Sequence, residues 1–396
     1  MTFTNPYDAY PAASVYLRRP IPYILSTTVQ KLNIVRFAPK TSESFYDELK
    51  KRIDEYFQRK DISKYANRTM RWKTVAMVSM YLVPFILMVA GVGAFHPIVF
   101  IGLWLLMGLG MVGIGTSVMH DSNHGSYSEK KGVNKWLGAL IVMIGGYHVT
   151  WRIQHNILHH TYTNIEGLDE DIDAGILLRF SPHSKHYWAH KFQHIYARVL
   201  YGLLTVQWAT SKDYLAVIGY QKKDLLKKEK ITLRRAILEI TGLKLAYFSI
   251  FLVLPMLFSG MSWGWVLLGF FLMHFVAGLA LSCIFQLAHV MEDAEFPAPL
   301  ADNKMENNWA VHQVLNTINF SPRSKIMSWF IGGLNYQIEH HLFPHICHVH
   351  YPQLSKIVKR TATKWGIPYQ EEPTFVSALL EHAKMLKKLG SQKEVS

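Results

Sequence analysis

The sequence predicts an all-α membrane protein: four transmembrane helices paired into two hairpins, with a helical cap gathered on one side of the bilayer. Two long stretches, Thr74 to Met119 and Leu245 to Met291, contain no Asp, Glu, Lys or Arg. Each is about twice the ~20 apolar residues that one helix needs to cross a bilayer. All 42 basic residues fall outside those stretches, and histidine clusters gather at their ends.

Half of the 396 residues are hydrophobic and 18% are charged, below the roughly one quarter usual in soluble domains. The spans are expected near 74–94, 97–119, 242–258 and 263–288, the third being the shortest. The links inside the hairpins, around His96-Pro97 and Ser259 to Ser262, carry no Lys or Arg. By the positive-inside rule both termini and the central segment are therefore cytosolic. The net charge of +14 then belongs to one face. It reads as attraction to anionic headgroups or as a dock for an acidic redox partner; no nucleic-acid partner is expected.

The N-terminus lacks the charged start, apolar run and small-residue cleavage site of a secretory signal, so residues 1–72 are expected to stay cytosolic. Within them, Phe45, Leu49, Ile53 and Phe57 recur every fourth position and predict an amphipathic helix over 41–59. A basic run from Lys222 to Arg235 precedes the third span. Residues 133–149 are apolar but short. If they crossed, the histidines on either side would face opposite compartments, so an interfacial or re-entrant segment is expected there. The organisation is thus an N-terminal helical segment (1–72), a membrane domain (73–384) and a flexible tail (385–396).

The two cysteines, Cys283 and Cys347, supply neither a disulfide framework nor a thiolate metal site. Histidine is abundant, at 20 residues. His120 and His124 lie four apart in HDSNH, on one face of a continuing helix. In HNILHH, α-helical geometry puts His155 and His159 on one face and His160 about 100° away. His340 and His341 close QIEHH, and His289 follows the fourth span. With two spans between the second cluster and His289, all eight return to the same side. Eight imidazoles without cysteine suit iron, copper, nickel or zinc and exceed what one tetrahedral zinc uses, so two metals are implied. Neutral ligands leave the cations' charge uncompensated. Asp121, Asp169, Asp171 and Glu339 are therefore candidates to orient the imidazoles, unless they are solvated surface acids. His274, in mid-span, is expected to be packed and hydrogen-bonded. His312, His345, His348 and His350 crowd the last cluster, and His183, His186, His190 and His194 recur at helical spacing as a surface or cap face.

HDSNH, HNILHH and QIEHH, in this order and interleaved with two hairpins, resemble the three histidine boxes of membrane fatty acyl desaturases. The flanks WRIQHNILHHTYTNIEGLD and NYQIEHHLFPHICHVHYPQL extend the resemblance. It is closest to the front-end branch (delta-6-like, linoleoyl-CoA type), whose third box begins with Gln, here Gln337. The resemblance implies a cytosolic cap holding two non-haem iron ions, with O2 as co-substrate and an acyl lipid or acyl-CoA as substrate. It carries the iron ligands over to His120, His124, His155, His159, His160, His340 and His341, with His289 matching an extra histidine and Gln337 a further ligand or orienting group. No HPGG haem motif of a fused cytochrome b5 domain is present, so a separate electron donor, a ferredoxin or free cytochrome b5, is expected. The setting would be a bacterial inner membrane, or the endoplasmic reticulum in a eukaryote. A di-iron hydroxylase or ketolase shares the scaffold. A metal transporter or sensor would instead place polar ligands along its spans.

Overall fold

The computed structural model describes residues 35–39 and 44–392. Four helices are long and apolar enough to cross a membrane: Arg68–Val89, Pro97–Asn123, Leu233–Phe258 and Trp263–His289. Among the described residues β pairing is confined to the short parallel strands Asn319–Phe320 and Glu371–Glu372 and one isolated bridge between Arg36 and Lys304. The fold is all-α.

Two helices start earlier than the hydropathy predicts because polar residues cap them. The Asn67 side chain accepts from the Met70 N–H, and the Thr232 side chain from the Arg235 N–H, each satisfying an N–H that has no partner within the helix. The third helix consequently takes in Arg234, Arg235 and Lys244 and, at 26 residues, exceeds the 22 of the first; it is not the shortest. The first ends at Val89, ahead of the expected 94, because Gly91 turns the chain at φ 81°. His96 caps the second through its side chain, with Pro97 opening the helix.

The second helix lies between the first and fourth, and glycine sets how closely. A Cβ on Gly110 would lie 2.7 Å from the backbone N of Tyr81, and one on Gly108 2.8 Å from the Met273 carbonyl. Small residues at such crossings let backbones approach. Residues 133–149 form two short pieces, Lys131–Gly138 and a 3-10 turn Ala139–Ile144, neither long enough to cross.

The cap is built on the helix Phe45–Lys60, which starts at its Ser44 cap and buries Phe45, Leu49 and Ile53. These pack with Leu354, Val358 and Ala362 of the helix Tyr351–Lys364. The expected flexible tail is corrected in part. The helix Phe375–Ser391 runs well past residue 385 and buries Met385, Leu386 and Leu389, an apolar stripe that pays for its own ordering. Residues 1–34 and 40–43 of the N-terminal segment, the latter including the start of the helix expected over 41–59, and 393–396 of the tail lie outside the described residues.

Candidate metal centre

All eight candidate histidines converge. His120 and His124 leave the end of the second helix with rings 4.7 Å apart, the i, i+4 relation expected. His155, His159 and His160 lie on a π-helical turn, Arg152–His159, and the start of the turn after it. This corrects the expected α-helical spacing. A π turn advances about one residue further per turn, so His155 meets His160, Nε2 to Nε2 at 3.3 Å, while His159 stays stacked on His155 with ring centroids 5.3 Å apart. His340 and His341 come from the short helix Gln337–Leu342, and His289 from the last residue of the fourth helix.

Their nitrogens fall into two groups. One is His120, His124, His155 and His340; the other is His159, His289 and His341; His160 stands between them, close to His340 and His341. Nε2 of His120 lies 3.1 Å from Nε2 of His155, and Nε2 of His160 lies 3.0 Å from Nε2 of His340. These are not a set of hydrogen bonds. The single Nε2 of His155, and that of His160, each face two neighbours, whereas one ring nitrogen offers one N–H or one lone pair. Two nitrogens bound to one divalent ion at ~2.0–2.1 Å stand roughly 3.0–3.4 Å apart, which the spacing matches. Nε2 of His124, His289 and His341 is buried with no hydrogen-bond partner. The donor set fits two metal ions.

Burial pushes the imidazoles of His124, His160, His340 and His341 well below their ordinary pKa, with their imidazole neighbours adding to the effect. Burial also lowers His155, to about 3. These rings are neutral, the form that binds a metal. His159 differs: against the effect of burial, Asp169 and Asp171 hold it up to about 9. A cation at its Nε2 would stand where that second proton sits.

The carboxylates divide. Both oxygens of Asp169 lie 3.0 Å from Nδ1 of His159, and Asp171 stands 3.3 Å from the same nitrogen and 3.9 Å from Nδ1 of His155. Asp121 mainly engages His348, which donates through Nδ1 at 2.8 Å, while Nδ1 of His120 is 3.8 Å away. Lys73 holds the other nitrogen of His348 at 2.7 Å. Glu339 orients no imidazole through its two hydrogen bonds. It accepts them from Asn319 at 2.8 Å and Tyr369 at 2.9 Å, and so anchors the helix that carries His340 and His341.

Three orienting contacts have no signal in the sequence. The His341 Nδ1–H donates to Oε1 of Gln313 at 2.8 Å, with the Thr163 hydroxyl 3.2 Å from the same nitrogen. The Tyr351 hydroxyl lies 3.3 Å from Nδ1 of His340. The first two join segments distant in sequence. Asn164, at φ 59°, donates to the His289 carbonyl at 3.0 Å and ties the second cluster to the fourth helix.

Of the other histidines, His312 binds the Thr163 carbonyl and His274 the Tyr247 hydroxyl and Thr205. His183, His186 and His190 hold the carbonyls of Phe296, Gly390 and Ile176, so of the two expected placements they take the cap face.

The matches to known proteins follow this geometry. The fatty acid desaturase family model matches residues 96–373. The chain belongs to the fatty acid desaturase family. This desaturase is 35% identical to an acyl-lipid (8-3)-desaturase of Physcomitrium patens, over 90% of its length and 74% of the relative's. It is 33% identical to an sn-1 linoleoyl-lipid 6-desaturase of Arthrospira platensis, over 89% of its length and 94% of the relative's. To a 6-desaturase of the same name from a Synechocystis strain it is 32% identical, over 90% and 98%. It is an oxidoreductase and an integral membrane protein.

Gln337 opens the helix one turn before His340 and His341, is 1% exposed and leaves its Nε2 unpartnered. Gln337→Ala is expected to cut turnover about 10- to 100-fold while most metal stays bound, as loss of an orienting group does. Gln337→His, which offers a nitrogen from the same place, should recover part of it. Product yield and metal content of the two variants check this; wild-type yield from Gln337→Ala would reduce Gln337 to local packing.

Proposed function

We propose that this desaturase uses two iron ions and O2 to introduce a cis double bond into a lipid-bound acyl chain, on the carboxyl side of an existing one. The observation that carries the reading is the convergence of eight imidazoles, seven of them buried and His124 partly so, into two groups bridged by His160, with nitrogens left unpaired. The relatives named 6-desaturases and (8-3)-desaturases support the front-end position. Two are named for linoleoyl lipid, which favours an acyl lipid over an acyl-CoA.

His120, His124, His155 and His340 would hold one iron and His159, His289 and His341 the other, with His160 beside both. Iron there supplies the activation of O2 and the abstraction of two acyl hydrogens. The net reaction consumes one O2, two electrons, two protons and those two hydrogens, and releases two waters. The electrons would come from a redox donor such as a ferredoxin or cytochrome b5.

The chain's own residues keep the centre ready. Asp169 and Gln313 accept hydrogen bonds from the Nδ1–H groups of His159 and His341, which leaves each Nε2 to offer its lone pair to a metal. Trp151 covers one side, its ring 4.5 Å from His155, 5.5 Å from His120 and 5.6 Å from His124. Phe285 stands 6.2 Å from His155 on the fourth helix. These apolar groups exclude water from the imidazoles.

In this reading the centre and both termini face the cytosol. Reporter fusions near residues 128 and 165 should report the same side; opposite sides would make 133–149 a span and divide the centre. Expression in a host fed linoleate, followed by location of double bonds in its lipids, tests the function. A new double bond nearer the carboxyl end is expected. A retained hydroxyl or keto oxygen would make the chain a hydroxylase or ketolase instead.

A further inference from the structure

We propose that residues 193–222 form a re-entrant helical hairpin that enters the bilayer from the cytosolic side, wedges between the third and fourth helices, and faces lipid hydrocarbon with its outer side. This replaces the expectation that all of 120–241 lies in the cytosol.

The descending arm, Gln193–Gly202 and Leu204–Gln207, runs antiparallel to the fourth helix. Ala197 packs with Val290 just past that helix's end. Further down, Ser282 donates to the Tyr201 carbonyl at 3.3 Å, a Cβ on Gly278 would lie 2.6 Å from the Gly202 carbonyl, and Thr205 donates to the His274 carbonyl at 2.7 Å. Trp263, 68% exposed, marks the outer end of the helix, as interfacial tryptophans do. At 1.5 Å per residue His274 lies about 16 Å inside it, near the middle of a ~30 Å hydrocarbon layer. Thr205 shares that depth.

The ascending arm, Asp213–Lys222, climbs along the third helix. Asp213 pairs with Lys244 at 2.8 Å, the Tyr214 hydroxyl lies 3.1 Å from the Thr241 hydroxyl, and Val217 and Tyr220 pack with Ile240 and Ala236. Lys244 lies about 21 Å in from Phe258, still within hydrocarbon depth. A charge there must be paired and turned inward. Lys244 is so placed: besides Asp213 it donates to the carbonyls of Gly145 and Trp208, and Thr150 donates to the other Asp213 oxygen at 2.6 Å. Below this level the third and fourth helices meet directly, through Tyr247–His274 and Phe248–Phe270. Above it the hairpin stands between them. Non-spanning backbone at such depth is tolerated where protein buries it.

The side turned away from protein carries an apolar stripe, flanked by the exposed Arg198 on the descending arm and by Gln207, Thr210 and Ser211 at the turn. Phe192 (just before the descending arm), Ile195, Val199 and Leu203 recur at intervals of three and four residues, and Leu215 and Ile218 continue the face on the other arm; all six are exposed. A soluble cap would present such a stripe to water. Continuity with the lipid-facing sides of the third and fourth helices commits it to acyl chains.

Nitroxide labels test this in the full chain, reconstituted in phosphatidylcholine vesicles, with Cys283 and Cys347 changed to Ala. Single cysteines go at Lys185, Ile195, Val199, Leu203 and Leu215, and at Phe271 on the exposed side of the fourth helix. The readout is collision with O2, which concentrates in hydrocarbon, against a water-soluble nickel complex. The proposal expects the O2-to-nickel ratio to rise steadily from 195 through 199 to 203, with 203 approaching 271, 215 also high, and 185 at the aqueous value. A deep 271 with equal, shallow values from 195 to 215 would mean a helix lying on the surface and would overturn the hairpin. Aqueous values at 195–215 would overturn it too. The inference rests on the four helices crossing the bilayer. An aqueous value at 271 would sink that assignment and the hairpin with it.

Discussion

Alanine at His159 is expected to abolish product and to strip iron from its group, while the chain still inserts in the membrane. His159, His289 and His341 are the three imidazoles of that group, so its loss leaves two. It also leaves Asp169, which is 1% exposed, without the imidazole that compensates its charge, a penalty of several kcal/mol for a buried carboxylate. His340→Ala should be as severe, because His340 takes part in one group with His120, His124 and His155 and in another with His160 and His341. The same loss is expected at His120, His124, His155, His160 and His341, and at His289. Iron per chain and product yield, measured on membrane-extracted protein, check this. Near-normal product from two or more of these variants would overturn the ligand assignment.

Asp169→Asn is the second large effect. The carboxylate fixes His159 Nδ1 through both oxygens and also accepts from the backbone N–H groups of Asn164 and Asp171, each at 2.9 Å. An amide of the same shape keeps one acceptor, but it lacks the charge and turns an NH2 towards donors that need an acceptor. Loss of such a partner typically costs about 10- to 100-fold in metal affinity or activity. Iron affinity and turnover should therefore fall together, with iron restored at high supply. Unchanged iron affinity and turnover would show that Asp169 does no more than hold its loop.

Much of this was legible in the residues because it is local or compositional. Charge-free stretches gave the apolar helices, and the four-residue step between His120 and His124 survived folding unchanged. The starts at Asn67 and Thr232 carried ordinary cap signals, but hydropathy alone placed those helices six to nine residues late. Other features left no local trace. Nothing in RIQHNILH announces a π turn, so α-helical spacing gave the pairing of His155 with His159, whose rings do stack, and missed the approach of His160 to His155. Gln313 and Thr163 reach His341 across long sequence separations, and no periodicity reports such a meeting. Glu339, beside two candidate ligands in sequence, serves Asn319 and Tyr369 because neighbouring positions on a helix point in different directions.

Iron content of the purified, active chain tests the central claim most directly. Two groups of imidazoles predict two irons per chain, with activity rising in proportion to that loading and vanishing when a chelator removes it. An active chain holding one iron or none, or one whose activity survives removal of iron, would contradict the account.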